Sequence, residues 1–162
     1  MKKLFILFLL ASTISWSQNS SFDEMVANTF KPSIPFISTD ELNNHYQQYI
    51  ILDTREKIEY NVSHLPDAIY IGDKEFNLRK TLKLLSKDKP IVVYCSIGAR
   101  SDFIGKKLAR KDLKVYNLYG GIFKWVNEEK DVIDNEGNLI KKVHPYNEEW
   151  AVWIKTKNTS LK

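Results

Sequence analysis

Residues Ile91 to Asp102 read Ile-Val-Val-Tyr-Cys-Ser-Ile-Gly-Ala-Arg-Ser-Asp, and their pattern indicates the central element of the domain. The run that opens it is apolar and rich in β-branched residues, and Pro90 precedes it, which predicts a short strand buried on both faces of a parallel sheet. The apolar spacing from Ser101 onward predicts a helix. Cys95, the only cysteine of the chain, is therefore predicted to lie in a loop between a strand and the N-terminal end of a helix.

The predicted loop is suited to hold a negative charge on the cysteine sulfur. A thiol is nucleophilic only as the thiolate, and backbone N–H groups, the positive end of a helix and a guanidinium all stabilise that anion. Gly98 has no Cβ where the loop must turn its amides inward, and Arg100 supplies the guanidinium. A buried structural cysteine is the alternative interpretation, since free cysteine is among the most buried residue types.

Other segments of the chain alternate between strand and helix patterns. Further strands are predicted at Phe36–Ile37, Tyr49–Thr54, Ile69–Ile71 and Leu113–Leu118, and helices after Ser38, over residues 76–87 and from Ser101. This alternation predicts an α/β fold in which helices cover both faces of a central parallel sheet, in three layers. Ligands of such sheets bind beyond the carboxyl ends of the strands, where Cys95 lies.

Three blocks of the sequence, within roughly Ile37 to Asn127, resemble the rhodanese family of sulfurtransferases. The active-site loop of that family often reads Cys-x-x-Gly-x-Arg-Ser, and this sequence matches it at Cys95, Gly98, Arg100 and Ser101. The second block consists of Leu-Asp-Thr-Arg-Glu from Leu52, Glu59-Tyr60, and His-Leu-Pro-x-Ala from His64. The third block is Gly-Gly-Ile-x-x-Trp from Gly120. Ser63 and Asp67 stand where family members commonly have glycine, a departure that concerns turn geometry.

The resemblance implies a rhodanese-like fold and a sulfur-transfer reaction. Cys95 would be the catalytic nucleophile, taking the outer sulfur of a small anionic donor such as thiosulfate and passing it to cyanide or a thiol acceptor through a persulfide. A protein thiol would also serve as the acceptor, and no metal or organic cofactor is required. The implied substrate-binding loop consists of Ser96, Ile97, Gly98, Ala99, Arg100 and Ser101.

Three polar residues in or near this loop could have a structural role instead of a functional one. Arg100 is expected to orient the donor's sulfonate, the alternative being a helix-start residue bonded to loop carbonyls or to an acidic neighbour. Asp53 and Arg55 end a predicted strand near the site, where a buried ion pair that holds loops is favoured over a catalytic acid or base.

Two other anion or thiol chemistries compete with sulfur transfer. Cysteine-dependent phosphatases separate cysteine from arginine by five residues, whereas four separate Cys95 from Arg100, which disfavours phosphoryl transfer. A thiol redox protein would need a partner thiol, because the chain has no second cysteine. A rhodanese module that binds a partner or senses sulfur species without catalysis is the principal alternative function.

The N-terminal segment indicates export. Met1–Ser17 contains two lysines, an apolar run and small residues, Ser15 and Ser17, at positions −3 and −1 of an expected cleavage after Ser17. This pattern is typical of a secretory signal peptide, with an uncleaved anchor as the alternative. We therefore expect a periplasmic or secreted protein that meets the membrane only through this segment. Export leads to an oxidising medium, where a lone cysteine that cannot pair internally is either inert or reactive.

Length and charge set the remaining bounds. A chain of 162 residues is long enough for one domain, and the formal charge of +4, to which Lys2 and Lys3 contribute, is too weak to indicate nucleic acid. The expected organisation is a signal peptide at 1–17, a leading helix and connector at 18–35, a rhodanese-like domain at 36–127 and a packed C-terminal extension at 128–162. That extension is expected to contain a small hairpin and a final helix from about Asn147.

Overall fold

The computed structural model describes residues 22–155, so the predicted signal peptide lies outside the described residues. Residues 22–29 are helical (α1) and belong to a first unit of the chain that ends at Lys31. The second unit begins at Pro32 and contains the sheet and the cysteine loop. Within residues 22–155, no helix is both long and apolar enough to cross a membrane.

A five-stranded parallel sheet forms the centre of the second unit, in the order β1-β5-β4-β2-β3. The strands are β1 (Phe36–Ile37), β2 (Ile50–Asp53), β3 (Ile69–Tyr70), β4 (Ile91–Tyr94) and β5 (Val115–Leu118). β4 is the central strand and every one of its residues is buried, which confirms the strand predicted from its apolar run. Asp53 pairs with Tyr94 in the register of β2 and β4, so both strands end beside Cys95.

Helices surround this sheet and complete the predicted α/β fold. They are α2 (Thr39–Asn44), α3 (Lys57–Val62), α4 (Leu78–Leu82), α5 (Ala99–Ala109) and α6 (Gly121–Asn127), with short 3-10 helices at Tyr46–Gln48 and Glu149–Trp153. The predicted hairpin is confirmed as an antiparallel pair of β6 (Val132–Ile133) and β7 (Leu139–Ile140). The predicted helix start after Ser38 is confirmed too, because the Ser38 side chain accepts the N–H of Glu41.

Three helix predictions need correction. α5 begins at Ala99 rather than Ser101, because Gly98 adopts a left-handed conformation (φ 114°) that turns the chain into the helix two residues earlier. α4 ends at Leu82, well short of the predicted residue 87, although Leu85 still packs against the core. The final helix is a 3-10 helix, Glu149–Trp153.

The core lies between α5 and the sheet and fixes how the helix approaches the cysteine loop. Ile104 and Leu108 are fully buried against β4, whereas Phe103, which the apolar spacing placed with them, is 61% exposed. Gly105 faces Val93 so closely that a Cβ would lie 3.0 Å from its Cγ2 atom. The second turn of α5 therefore packs closely against β4.

Candidate active site

Cys95 directly follows β4 and is only 1% exposed. The backbone N–H of Gly98 donates to its Sγ atom at 3.1 Å. Sulfur, loop amide and the start of α5 thus come together as the sequence predicted. The Cys95 loop, Cys95–Arg100, is the centre of the candidate site.

Hydrogen bonds from α5 and β5 fix the conformation of Gly98. Its carbonyl oxygen accepts the Ser101 hydroxyl at 3.1 Å and the Asn117 side-chain amide at 2.8 Å. The single proton of the Ser101 hydroxyl is shared between this carbonyl and Asn117 Oδ1, which lies 2.7 Å from the hydroxyl oxygen. Because the carbonyl is held toward β5, the N–H of the same residue remains directed at the sulfur. Ser101, predicted as a substrate-binding residue, lies fully buried in this support.

The first turn of α6 holds the other end of the Cys95 loop. The N–H groups of Ile122 and Phe123 donate to the carbonyl oxygens of Cys95 and Ser96 at 2.9 and 3.1 Å. Gly121, with φ 55°, makes this approach feasible, since a Cβ there would lie 2.3 Å from the Cys95 carbonyl oxygen. The Gly-Gly-Ile sequence therefore positions the cysteine through its backbone.

Arg100 lies in the first turn of α5 and pairs with Glu59 of α3. Its Nη1 and Nη2 atoms donate to the two carboxylate oxygens of Glu59 at 2.6 and 2.8 Å. Nη2 also donates to the Ser96 hydroxyl at 2.8 Å, and that hydroxyl donates to Glu59 Oε1 at 3.1 Å. The acidic neighbour considered for Arg100 is thus present, and its role in orienting a donor stays a prediction.

Both members of this pair are charged despite their burial. Burial alone would raise the pKa of the Glu59 carboxyl, but the hydrogen bonds and charge of Arg100, with the charge of Arg55, hold that pKa below its usual value. Burial likewise opposes the charge of Arg100, yet its bonds to Glu59 and its interaction with the Cys95 sulfur raise its pKa. The structure therefore places the Arg100–Glu59 ion pair beside the thiol.

Asp53 and Arg55 form the fully buried ion pair that was favoured from the sequence. The guanidinium of Arg55 donates from Nε and Nη2 to both oxygens of Asp53, and Nη2 also reaches the Ser63 carbonyl at 2.5 Å. Its Cζ atom lies 5.7 Å from the centre of the Tyr94 ring. Among residues 22–155, Arg55 Nη1 has no hydrogen-bond partner. The pair ties the end of β2 to the residue that precedes Cys95.

The sequence model of the rhodanese-like domain matches residues 38–128, more than half of the chain and including the Cys95 loop. The chain belongs to the rhodanese-like domain family.

Curated proteins with several different names match part of this chain. The chain is 36% identical over 102 residues to a probable molybdopterin-synthase adenylyltransferase of Porphyra purpurea, and 33% identical over 87 residues to a tRNA sulfurtransferase of Desulfurococcus amylolyticus. These matches cover 63% and 54% of this chain but only 26% and 17% of the relatives. A rhodanese-related protein of Thermoplasma volcanium has 30% identity and a TM-score of 0.56, with 61% of this chain and 97% of that protein aligned.

The predicted loop residues come together in this rhodanese-like domain. The Gly98 N–H and the Arg100 guanidinium lie beside the Cys95 sulfur. The Ser96 hydroxyl bonds to both Arg100 and Glu59. Ile97 is buried, and Ala99 begins α5. Within residues 22–155, no cluster of three or more His, Cys, Asp or Glu side chains is arranged to hold a metal ion.

Two parts of the site were not assigned a role from the sequence. Glu59 was noted only as part of a motif block, and Tyr146, whose ring lies over Arg100, was not considered. A capping box with Glu56 reveals that Glu59 belongs to the first turn of a helix, but not which cation it meets.

Proposed function

We propose that the chain is a sulfurtransferase that carries sulfane sulfur as a persulfide on Cys95. The observation that supports this most directly is the contact between the Cys95 sulfur and the Gly98 N–H, 3.1 Å long, at the start of α5. An amide N–H, the N-terminal end of an eleven-residue helix and the Arg100 guanidinium all lie beside this sulfur, and groups of these kinds stabilise a thiolate. Membership of the rhodanese-like family supports sulfur transfer as the reaction class.

The proposed reaction is a double displacement. The Cys95 thiolate attacks the outer sulfur of a donor such as thiosulfate, the sulfur–sulfur bond of the donor breaks, and sulfite leaves with the bonding electrons. The resulting persulfide keeps its terminal sulfur near the loop amides. Cyanide or an acceptor thiolate then attacks that terminal sulfur, which yields thiocyanate or a new persulfide and regenerates the Cys95 thiolate.

The residues around the sulfur have distinct proposed roles. The loop amides stabilise the anionic sulfur, and Arg100 orients the sulfonate of a small anionic donor by charge-assisted hydrogen bonds. Glu59 and Ser96 hold the guanidinium of Arg100 in place. A protein thiol is a further acceptor class, and the reaction uses no cofactor. The N-terminal segment supports export, so we propose that the reaction takes place in the periplasm or outside the cell.

Intact-mass spectrometry tests the persulfide. The protein is measured before and after incubation with thiosulfate, and again after cyanide, beside the Cys95→Ser variant. We expect the wild type to gain one sulfur atom that cyanide removes, and the variant to gain none. Sulfur uptake by Cys95→Ser would contradict the proposed mechanism, provided that both proteins show the same urea unfolding transition.

The near-complete burial of Cys95 favours one alternative, a rhodanese module that binds a partner or senses sulfur species without turnover. The same experiment separates the two functions. A wild-type protein that gains no sulfur from thiosulfate or from an organic persulfide, while its thiol still reacts with a small alkylating reagent, would support the non-catalytic module.

A further inference from the structure

The chain beyond the family match returns to the Cys95 loop. The rhodanese-like match ends at residue 128, yet the ring of Tyr146 lies over the Arg100 guanidinium, 4.9 Å from its Cζ atom to the ring centre. Val143, His144 and Pro145, which lead up to Tyr146, are buried. This segment therefore packs into the domain and delivers an aromatic ring to the site.

The conformation of Tyr146 is specified by its neighbours. Its φ of 73° is in the left-handed region, which a residue with a large side chain adopts only when its surroundings impose it. The Tyr146 N–H donates to His144 Nδ1 at 3.0 Å, and the His144 ring is itself buried. Tyr146 itself is 49% exposed, so its position is fixed by the left-handed backbone and the buried hydrogen-bond acceptor rather than by burial of its ring.

His144 links this turn electrostatically to the ionic groups of the site. Burial lowers its pKa, and the charges of Arg55 and Arg100 lower it further against the opposing charge of Glu59. The imidazole is therefore neutral near pH 7, with Nδ1 unprotonated and able to accept the Tyr146 N–H.

Two kinds of contact hold the guanidinium of Arg100. Glu59 and Ser96 accept hydrogen bonds from its Nη1 and Nη2 atoms. Its Cζ atom lies over the Tyr146 ring, where a cation is attracted to the π-system. The hydrogen bonds come from α3 and the Cys95 loop and the ring comes from the C-terminal extension, so the two sets of contacts constrain the guanidinium from different parts of the chain.

We propose that Tyr146 is a positioning residue of the sulfur-transfer site. Its ring helps to hold the guanidinium of Arg100 against Glu59 and Ser96, beside the Cys95 sulfur, in the orientation that receives an anionic donor. The C-terminal extension thus contributes a residue, Tyr146, to the site. The expected effect of Tyr146 on enzyme kinetics rests on the proposed sulfurtransferase function, whereas its effect on the position of Arg100 does not.

Steady-state kinetics with thiosulfate and cyanide test the kinetic consequence. Tyr146→Ala removes the ring, Tyr146→Phe keeps the ring without the hydroxyl, and Val152→Ala alters a side chain of the same extension that is 76% exposed. We expect Tyr146→Ala to raise the KM for thiosulfate roughly three- to twenty-fold with little change in kcat, in line with the strength of a partly shielded cation–π contact. Tyr146→Phe and Val152→Ala should match the wild type. A Tyr146→Phe variant as impaired as Tyr146→Ala would overturn the proposal.

Alkylation of Cys95 tests the placement of Arg100 without sulfur transfer. A cation beside the sulfur accelerates the anionic reagent iodoacetate relative to neutral iodoacetamide. We expect the ratio of the two rate constants to fall in Tyr146→Ala and to stay at the wild-type value in Tyr146→Phe. A ratio unchanged in Tyr146→Ala overturns the proposal whatever the kinetics. A lower ratio in a protein whose wild type forms no persulfide supports the placement and rejects the proposed function.

Discussion

Gly121 lies so close to Cys95 that a Cβ at this glycine would be 2.3 Å from the cysteine's carbonyl oxygen. The same hypothetical atom would lie 2.6 Å from the carbonyl oxygen of Ser96. Both oxygens accept N–H groups from the following residues of α6, so the loop and the helix cannot separate without losing these bonds. The position of the Cys95 sulfur thus depends on the absence of a side chain at residue 121.

Gly121→Ala should therefore disturb both stability and activity. The new methyl group meets backbone atoms at a residue with φ 55°, so we expect the free energy of unfolding to fall by about 2–4 kcal/mol and persulfide formation to decrease. Gly137→Ala is the matched control, because φ is 84° there and a Cβ would meet nothing within 4 Å. We expect Gly137→Ala to lower the free energy of unfolding by about 1 kcal/mol, because only the left-handed conformation opposes the new side chain. Urea unfolding measures both, and equal losses would argue against the steric explanation.

Glu59→Gln should weaken the protein in a pH-dependent way. The substitution removes the charge from the Arg100 pair, and we expect a loss of about 1–3 kcal/mol at pH 7. Because the pKa of Glu59 in the folded protein lies below its usual value of 4.5, its stabilisation is fully present above that value and is lost as the pH falls through the lower folded pKa.

Urea unfolding between pH 7 and pH 3 checks this expectation. The difference in unfolding free energy between wild type and Glu59→Gln should shrink as the pH falls below about 4.5. Glu148→Gln, at an exposed site, should run parallel to the wild type. A difference for Glu59→Gln that stays constant with pH would show that the carboxylate charge contributes nothing.

Arg55→Lys tests whether the buried pair with Asp53 depends on the forked guanidinium. Lysine keeps the charge but cannot bind both Asp53 oxygens and the Ser63 carbonyl at once, so we expect a loss of about 2–4 kcal/mol in unfolding free energy. Arg79→Lys in α4, an exposed arginine, should change it by less than about 0.5 kcal/mol. Similar values for the two variants would mean that charge alone suffices at Arg55.

His144→Asn should reduce the loss of stability in mild acid. Burial, with the charges of Arg55 and Arg100, lowers the pKa of His144 below its usual 6.5 against the charge of Glu59. Its contribution to stability is therefore present above pH 6.5 and declines as the pH falls towards the lower folded pKa. Protonation of Nδ1 would also remove the acceptor of the Tyr146 N–H.

The unfolding free energies at pH 8, 6.5 and 5.5 give the comparison. Wild type should lose more stability between pH 6.5 and 5.5 than His144→Asn, in which the amide oxygen still accepts a hydrogen bond but does not titrate. Some dependence should remain from His64, whose pKa burial also lowers. Substitution of the exposed His45 by asparagine should leave the wild-type profile. Parallel profiles for wild type and His144→Asn would contradict the expectation.

The strands and the Cys95 loop were predictable because their signals are local. An apolar, β-branched run predicted β4, and the residues that follow it placed the thiol at its carboxyl end. Gly98 was expected to turn amides inward, and its N–H does contact the sulfur. The first residue of α5 was less predictable, since the left-handed turn at Gly98 depends on Ser101 and Asn117 holding its carbonyl.

The contacts of Arg100 could not be predicted in the same way. Glu59 precedes it by 41 residues, and Tyr146 belongs to a segment whose pattern predicted only packing. Which acid meets which arginine is decided by how α3 and α5 pack on the sheet, and hydrophobic periodicity contains no information on such pairs. Tyr146 is harder still, because polar and aromatic residues in an irregular segment have no periodic signal.

The burial of the Cys95 sulfur also limits what can oxidise it. Two cysteines form a disulfide only when their Cα atoms come within about 7 Å, and a cysteine that is only 1% exposed does not allow a second copy to approach that closely. We therefore expect non-reducing gels to show no covalent dimer even after prolonged exposure to air. The single thiol of the chain would then react with small molecules but not with the thiol of a second copy.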